Sequence, residues 1–128
     1  MANVTVIGLG AMGGGMARTL LLSSSTSTVS GYDISEQLVE QFKQEAVAAG
    51  KHDMNVAISS TILSKSITAQ TDAVVLVLVN EKQCNEVCFG TNNGDSTLNL
   101  IHIMKAGSTV ILCSTVTALW AKETSALL

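Results

Sequence analysis

Strand-like and helix-like segments alternate along the whole chain, and this alternation limits its fold more than any other feature. Asn3–Leu9 is β-branched, almost wholly apolar and closed by glycine, the pattern of a short strand buried on both faces. Met12, Met16, Ala17 and Leu20 then recur at helical spacing through Leu22. The polar run Ser23–Thr28 reads as an exposed loop before a second strand, Val29–Tyr32. Ser35 is placed to cap a helix running to about Glu45. A short strand over Val56–Ser59 and a short helix over Thr61–Ala69 follow. Ala73–Val79 is the clearest buried strand, and Glu81–Cys88 a helix. A turn at Gly90–Asp95, a helix over Ser96–Met104, a strand at Thr109–Cys113 and a helix from Thr117 complete the order. With no interior linker or repeat, the 128 residues form one domain. Near-continuous apolar strands alternating with helices predict an α/β fold, a doubly wound parallel sheet with helices on both faces.

Into the first strand-to-helix turn falls Gly8-Leu9-Gly10-Ala11-Met12-Gly13. A GxGxxG spacing is weak alone, but directly after a strand and opening a helix it is the Rossmann dinucleotide fingerprint. Gly8 permits the tight turn, Gly10 leaves room for a pyrophosphate, and Gly13 lets helix and strand approach. The helix N-terminus offers N–H groups and partial positive charge to the phosphates. Asp33 stands twenty residues beyond Gly13, at the end of the second strand. A carboxylate there accepts hydrogen bonds from the adenosine ribose and repels a 2′-phosphate, which favours NAD over NADP. No arginine follows it; Ile34 and Ser35 occupy the next positions. A structural glycine turn beside a surface aspartate is the plainer alternative.

Composition removes several other classes. The chain is 47% hydrophobic and 13% charged, with no proline, so it is neither disordered nor fibrous. A net charge of −3 and four aromatic residues argue against a nucleic-acid surface. Ala73–Val79, the longest apolar run, is too short to span a membrane. Three cysteines make an odd count and no disulfide scaffold, so a reduced cytoplasmic setting is expected, or a mitochondrial one if a leader was removed. Cys84 and Cys88 share a helical face but have no neighbouring ligands for a metal; buried thiols are the simpler reading. Cys113 reads as strand packing. His52 and His102 are isolated, and no hydrolytic triad is suggested. Trp120 either packs on the sheet or, exposed, drives self-association into a homodimer.

Beyond the fingerprint, Val6–Gly13 with Met16-Ala17 and Leu20 resembles the N-terminal NAD-binding domain of the β-hydroxyacid dehydrogenase family. That family includes 3-hydroxyisobutyrate dehydrogenase, threonate dehydrogenase and, more distantly, 6-phosphogluconate dehydrogenase. Asp72–Glu81 resembles the family's fourth strand and the loop over the cofactor. Lys105–Ile111 with Ser114-Thr115-Val116 resembles its later Ser-Thr segment. The wording Val79-Asn80-Glu81 and Cys113–Val116 is most similar to the threonate-dehydrogenase-like branch.

The resemblance covers essentially the whole chain. It implies that Gly8, Leu9, Gly10, Ala11, Met12 and Gly13 form the phosphate turn, with Leu78 and Val79 against the cofactor. Gln83 falls near the nicotinamide ribose, Thr115 near the nicotinamide, and Ser114 beside it towards substrate. Helix capping suits Ser114 and Thr115 equally well, and an exposed helix position suits Gln83. Val79 and Ala118 stand where the family commonly has proline, which predicts a looser loop and a less fixed entry to the last helix. The family's activity is hydride transfer between a nicotinamide cofactor and a small-molecule 3-hydroxyacid, with a catalytic lysine in a helical C-terminal domain. None of Lys43, Lys51, Lys65, Lys82, Lys105 and Lys122 stands in that lysine's context. The fold is therefore expected to be truncated before the helical domain, and the chain to bind cofactor without turnover. A non-enzymatic dinucleotide sensor and an S-adenosylmethionine-binding methyltransferase domain are the alternatives a glycine loop leaves open.

Overall fold

A computed structural model describes residues 2–23, 26–49, 59–60, 66–90 and 99–127. Among the described residues five strands make one parallel sheet: β1 (Ala2–Ile7), β2 (Thr26–Tyr32), β3 (Ser59–Ser60), β4 (Ala73–Leu76) and β5 (Thr109–Leu112). Their spatial order is β3-β2-β1-β4-β5. The chain winds outward from β1 to β3, returns across the sheet to β4, and continues outward the other way. Loops on opposite sides of β1 therefore diverge at the C-terminal ends of β1 and β4, where such sheets bind ligands.

The alternation of side chains along each strand divides the core. Val4, Val6 and Val75 face α1 (Ala11–Leu22) and α2 (Glu36–Ala48), meeting Ala17, Leu21, Val39, Phe42 and Ala46. Ile7, Val74 and Leu76 face the other way. They pack on Cys88 of α3 (Glu81–Phe89), Leu100 of α4 (Leu100–Ile103) and Trp120 of α5 (Ala118–Leu127). Helices thus cover both faces, and the doubly wound expectation holds. Two buried hydroxyls are paired in series: Thr5 Oγ1 donates to the Ser66 carbonyl (2.7 Å) and Ser66 Oγ to the Gly31 carbonyl (2.8 Å).

Several boundaries differ from expectation. Thr26–Thr28 belong to β2 rather than to a loop. Two of their hydroxyls find partners on other elements, Thr26 Oγ1 donating to the Leu20 carbonyl (2.6 Å) and Thr28 Oγ1 to Asn3 Oδ1 (2.9 Å). α1 buries Gly13, Ala17 and Leu21, leaving Met12 63% exposed, because Gly13 lies against the Gly8 backbone just beyond β1. β4 ends at Leu76, so Val77–Val79 form a loop instead of strand. After Ser66 the helix expected to Ala69 gives way to a turn, where Thr68 and Thr71 hydroxyls capture backbone N–H groups. Cys113 is exposed, because β5 is the sheet edge, whereas Cys84 and Cys88 are buried as expected. Trp120 packs on the core and donates its indole N–H to Asn85 Oδ1 (3.1 Å). The expected Val56–Ser59 strand is described only from Ser59. Residues 61–65, the turn beyond Gly90, residues 96–98 and His52 lie outside the described residues.

Candidate functional site: a crevice at the ends of β1, β2 and β4

At the end of β1 the ladder continues one step, Gly8 N–H donating to the Tyr32 carbonyl (2.8 Å), before the chain turns into α1. The three fingerprint glycines are required for three different reasons. Gly8 has φ +97°, and a Cβ there would lie 2.1 Å from the Val77 carbonyl oxygen. Gly13 presses on that same turn, where a Cβ would stand 1.7 Å from the Gly8 carbonyl oxygen. Both contacts are backbone on backbone, so nothing can move aside. At Gly10 a Cβ would meet no protein atom within 4 Å. The fold does not need glycine there; the open space over it does, if a phosphate is to approach the backbone.

Gly10 is also the N-cap of α1, with no side-chain cap and no acidic residue in the first turn. The helix end therefore keeps its N–H donors and its partial positive charge for an anion. Ala11 and Met12 are exposed on that turn, while Leu9 turns its side chain into the core (4% exposed) and contributes only backbone. Leu9 fits beneath the turn because Gly31 has no side chain; a Cβ there would be 2.9 Å from Leu9 Cδ1. Gly31 is a supporting residue that the pattern of β2 passes over. A glycine inside a strand was the signal available.

Asp33 converges on this turn from the end of β2. Its Oδ2 accepts the Leu9 N–H (2.8 Å) and its Oδ1 the Ser35 N–H (2.9 Å). Each oxygen has a further lone pair for a ribose hydroxyl. Beside it, burial first and the Asp33 carboxylate second raise the Tyr32 phenol above its ordinary value. The residue that follows, Ile34, is apolar and 81% exposed, so it offers no charge to a 2′-phosphate.

Across β1 lies the loop after β4. Leu78 is half-buried and Val79 is 80% exposed. Ser114 Oγ accepts the Leu78 N–H (2.7 Å), and Gln83 Oε1 accepts the Val79 N–H (3.0 Å). The N-terminus of α3 is capped by Asn80 Oδ1 on the Gln83 N–H (2.9 Å). Thr115 is exposed at the end of β5. Although Ala118 replaces proline, entry to α5 is fixed by other means: Glu81 Oε2 accepts the Thr117 N–H (3.1 Å) and Thr117 Oγ1 the Trp120 N–H (3.1 Å). All the residues implied by the resemblance thus lie at the C-terminal ends of β1, β2, β4 and β5.

A groove of about 730 Å³ lies elsewhere, between β5, α4 and α5, walled by Leu100, Met104, Val110, Leu112 and Trp120. Its lining is more apolar than polar, and of its polar side chains Lys105, Ser108 and Ser125 are already paired with Asp72, the Lys105 carbonyl and the Lys122 carbonyl, so chemistry rather than volume assigns the site. Among the described residues no group of three His, Cys, Asp or Glu could hold a metal, and no helix is long and apolar enough to cross a membrane.

Comparison with known proteins agrees with this geometry. The chain is 33% identical over 119 residues to L-threonate dehydrogenase of Haemophilus influenzae, covering 91% of this chain and 33% of that protein. It is 34% identical over 120 residues to the same-named protein of Pectobacterium atrosepticum, covering 94% and 34%. The chain therefore spans about a third of the length of these curated relatives. Prephenate dehydrogenase from A. aeolicus, solved with hydroxyphenyl propionate and NAD+, superposes with a TM-score of 0.69 at 22% identity, covering 100% of this chain and 38% of that one. A diketoreductase superposes with a TM-score of 0.65 at 16% identity, covering 91% and 43%. These likenesses show the Rossmann-type fold. Residues 3–128 match the family described as the NAD binding domain of 6-phosphogluconate dehydrogenase, and the chain belongs to that family of NAD-binding domains.

Proposed function

We propose that this chain is the coenzyme-binding part of an NAD-dependent 3-hydroxyacid dehydrogenase. The name carried by its relatives, L-threonate dehydrogenase, points to a polyhydroxylated acid as substrate. The observation that carries the reading is Asp33 converging on the glycine turn, with open space over Gly10. In this reading Asp33 holds the adenosine ribose, the N-terminus of α1 holds the pyrophosphate, and Leu78, Val79, Gln83 and Thr115 line the nicotinamide half. NAD supplies the hydride acceptor, and the protein's contribution is to orient it. Ser114, at the substrate side in the family resemblance, lies next to Thr115. Since none of the six lysines stands in the context of the family's general acid/base, the 128-residue chain binds NAD without turning over a hydroxyacid.

Calorimetric titration of the chain with NAD, NADP and S-adenosylmethionine tests this. NAD binds, and NADP binds roughly tenfold more weakly because its 2′-phosphate meets Asp33. S-adenosylmethionine binding in place of NAD would overturn the assignment, and equal affinity for NADP would remove Asp33 from its role. Formation of NADH with L-threonate would contradict the absence of turnover.

A further inference from the structure

We propose that Ser114 is a positioning residue whose hydroxyl sets the loop Val77–Asn80 at the nicotinamide-side wall of the crevice; this rests on the NAD-binding reading above. The pairing of β4 with β5 ends where the Leu76 carbonyl accepts the Cys113 N–H at 2.9 Å. Beyond that bond the two chains separate, and the Leu78 N–H is left without a strand partner. Ser114 Oγ takes it, accepting at 2.7 Å while donating to the Leu76 carbonyl at 3.3 Å. A hydroxyl can accept and donate together; alanine can do neither, and threonine can do both.

The next N–H, that of Val79, is held separately by Gln83 from α3 (3.0 Å). Two successive backbone groups of the loop are thus fixed from two different elements. On its other side the loop meets the glycine turn, since a Cβ at Gly8 would fall 2.1 Å from the Val77 carbonyl oxygen and 3.2 Å from Leu78 Cδ2. A shift of Leu78 therefore moves the wall beside Gly8. The sheet order puts β2 on one side of β1 and β4 and β5 on the other. A dinucleotide with its adenosine ribose at Asp33 runs its opposite half over this loop, so Ser114 acts mainly on that half and reaches the phosphate turn only through Leu78 beside Gly8.

The test is calorimetric titration of the 128-residue chain and its Ser114→Ala and Ser114→Thr variants with NAD and with ADP, in the absence of any hydroxyacid. Ser114→Ala is expected to weaken NAD roughly fivefold, the size of one lost hydrogen bond, with ADP changed less than about twofold. Ser114→Thr restores NAD binding. If Ser114→Ala does not fold, Ser114→Cys, which keeps the shape but is a poor acceptor, carries the same comparison. Unchanged NAD affinity overturns the proposal, and is the result a pure substrate contact would give. Equal weakening of NAD and ADP also overturns it, as general support of the fold. A wild-type chain that binds neither nucleotide instead overturns the NAD-binding reading, and the role of Ser114 with it.

Discussion

On the β1–β2 side of the crevice the walls are backbone packed on backbone, with Gly8 and Gly13 in contacts that exclude even a methyl group. On the β4–β5 side Val77 shares one of those contacts and donates its N–H to the Ile7 carbonyl (2.8 Å), but beyond Val77 the wall is held by single hydrogen bonds accepted by the side chains of Ser114, Gln83 and Glu81. The strands differ in the same sense: Val6 and Ile7 of β1 are fully buried, whereas Ile111 of the edge strand β5 is 46% exposed. The proposed site for phosphates and adenosine is therefore part of the folding core, while the wall across β1 can be altered at modest cost to stability. One half is rigid by construction, and the other is adjustable.

The sharpest way to break this contrast is Gly13→Ala. Its Cβ has no route away from the Gly8 carbonyl, so a loss of about 3 kcal/mol is expected, read as a fall of roughly 10 °C in Tm. Gly10→Ala is the counterpart. It should keep stability within about 1 kcal/mol, since only a cap position changes. NAD should nevertheless bind roughly tenfold or more weakly, because the added methyl occupies the phosphate approach. If both variants lose stability alike, the two glycines do not have separate roles.

A smaller effect concerns the thiols on the β4–β5 side. Burial first, and the neighbouring Cys84 second, push the Cys88 thiol up to about 12. A raised value means that the neutral thiol's contribution is fully present below about pH 8.5, where the unfolded thiol titrates. It is lost as pH rises from there through about 12. Urea melts should show declining stability on this alkaline limb, with a shallower decline in Cys88→Ala. In the native chain a thiol reagent should modify Cys113 quickly and leave Cys84 and Cys88 until unfolding.

Smallest is the surface pair at the opposite end of the sheet. The Lys105 ammonium first, and the Asn3 N–H second, hold the Asp72 carboxyl below its ordinary value. Its contribution is present above about pH 3.9 and lost as pH falls through the lowered value. Asp72→Asn should flatten that acid limb in urea melts between pH 2 and pH 6 (roughly the carboxylate range), without changing NAD affinity.

The same division explains what could be read from the sequence. β1, the glycine turn and Asp33 stand out because their constraints are local: a buried run, a turn needing glycine, and an acid at a set spacing. Thr26–Thr28 look like a loop because their partners, Leu20 and Asn3, lie on other elements. The apolar run from Ala73 conceals the end of β4, since Val77 and Leu78 remain apolar where they leave the strand to form the crevice wall. Cys113 reads as a packing residue because nothing in Thr109–Cys113 marks a sheet edge. The partner of the Ser114 hydroxyl, thirty-six positions away at Leu78, depends on strand order rather than on motif.

The central claim is that one dinucleotide lies across the C-terminal ends of β2, β1 and β4. Backbone NMR of the 15N-labelled chain during titration with NAD tests it directly. The account predicts shifts at Gly8–Gly13, Asp33–Ser35 and Leu78–Gln83, with the apolar groove around Met104, Val110 and Trp120 unaffected. Shifts gathered in that groove, with the glycine turn and Asp33 unmoved, would contradict it.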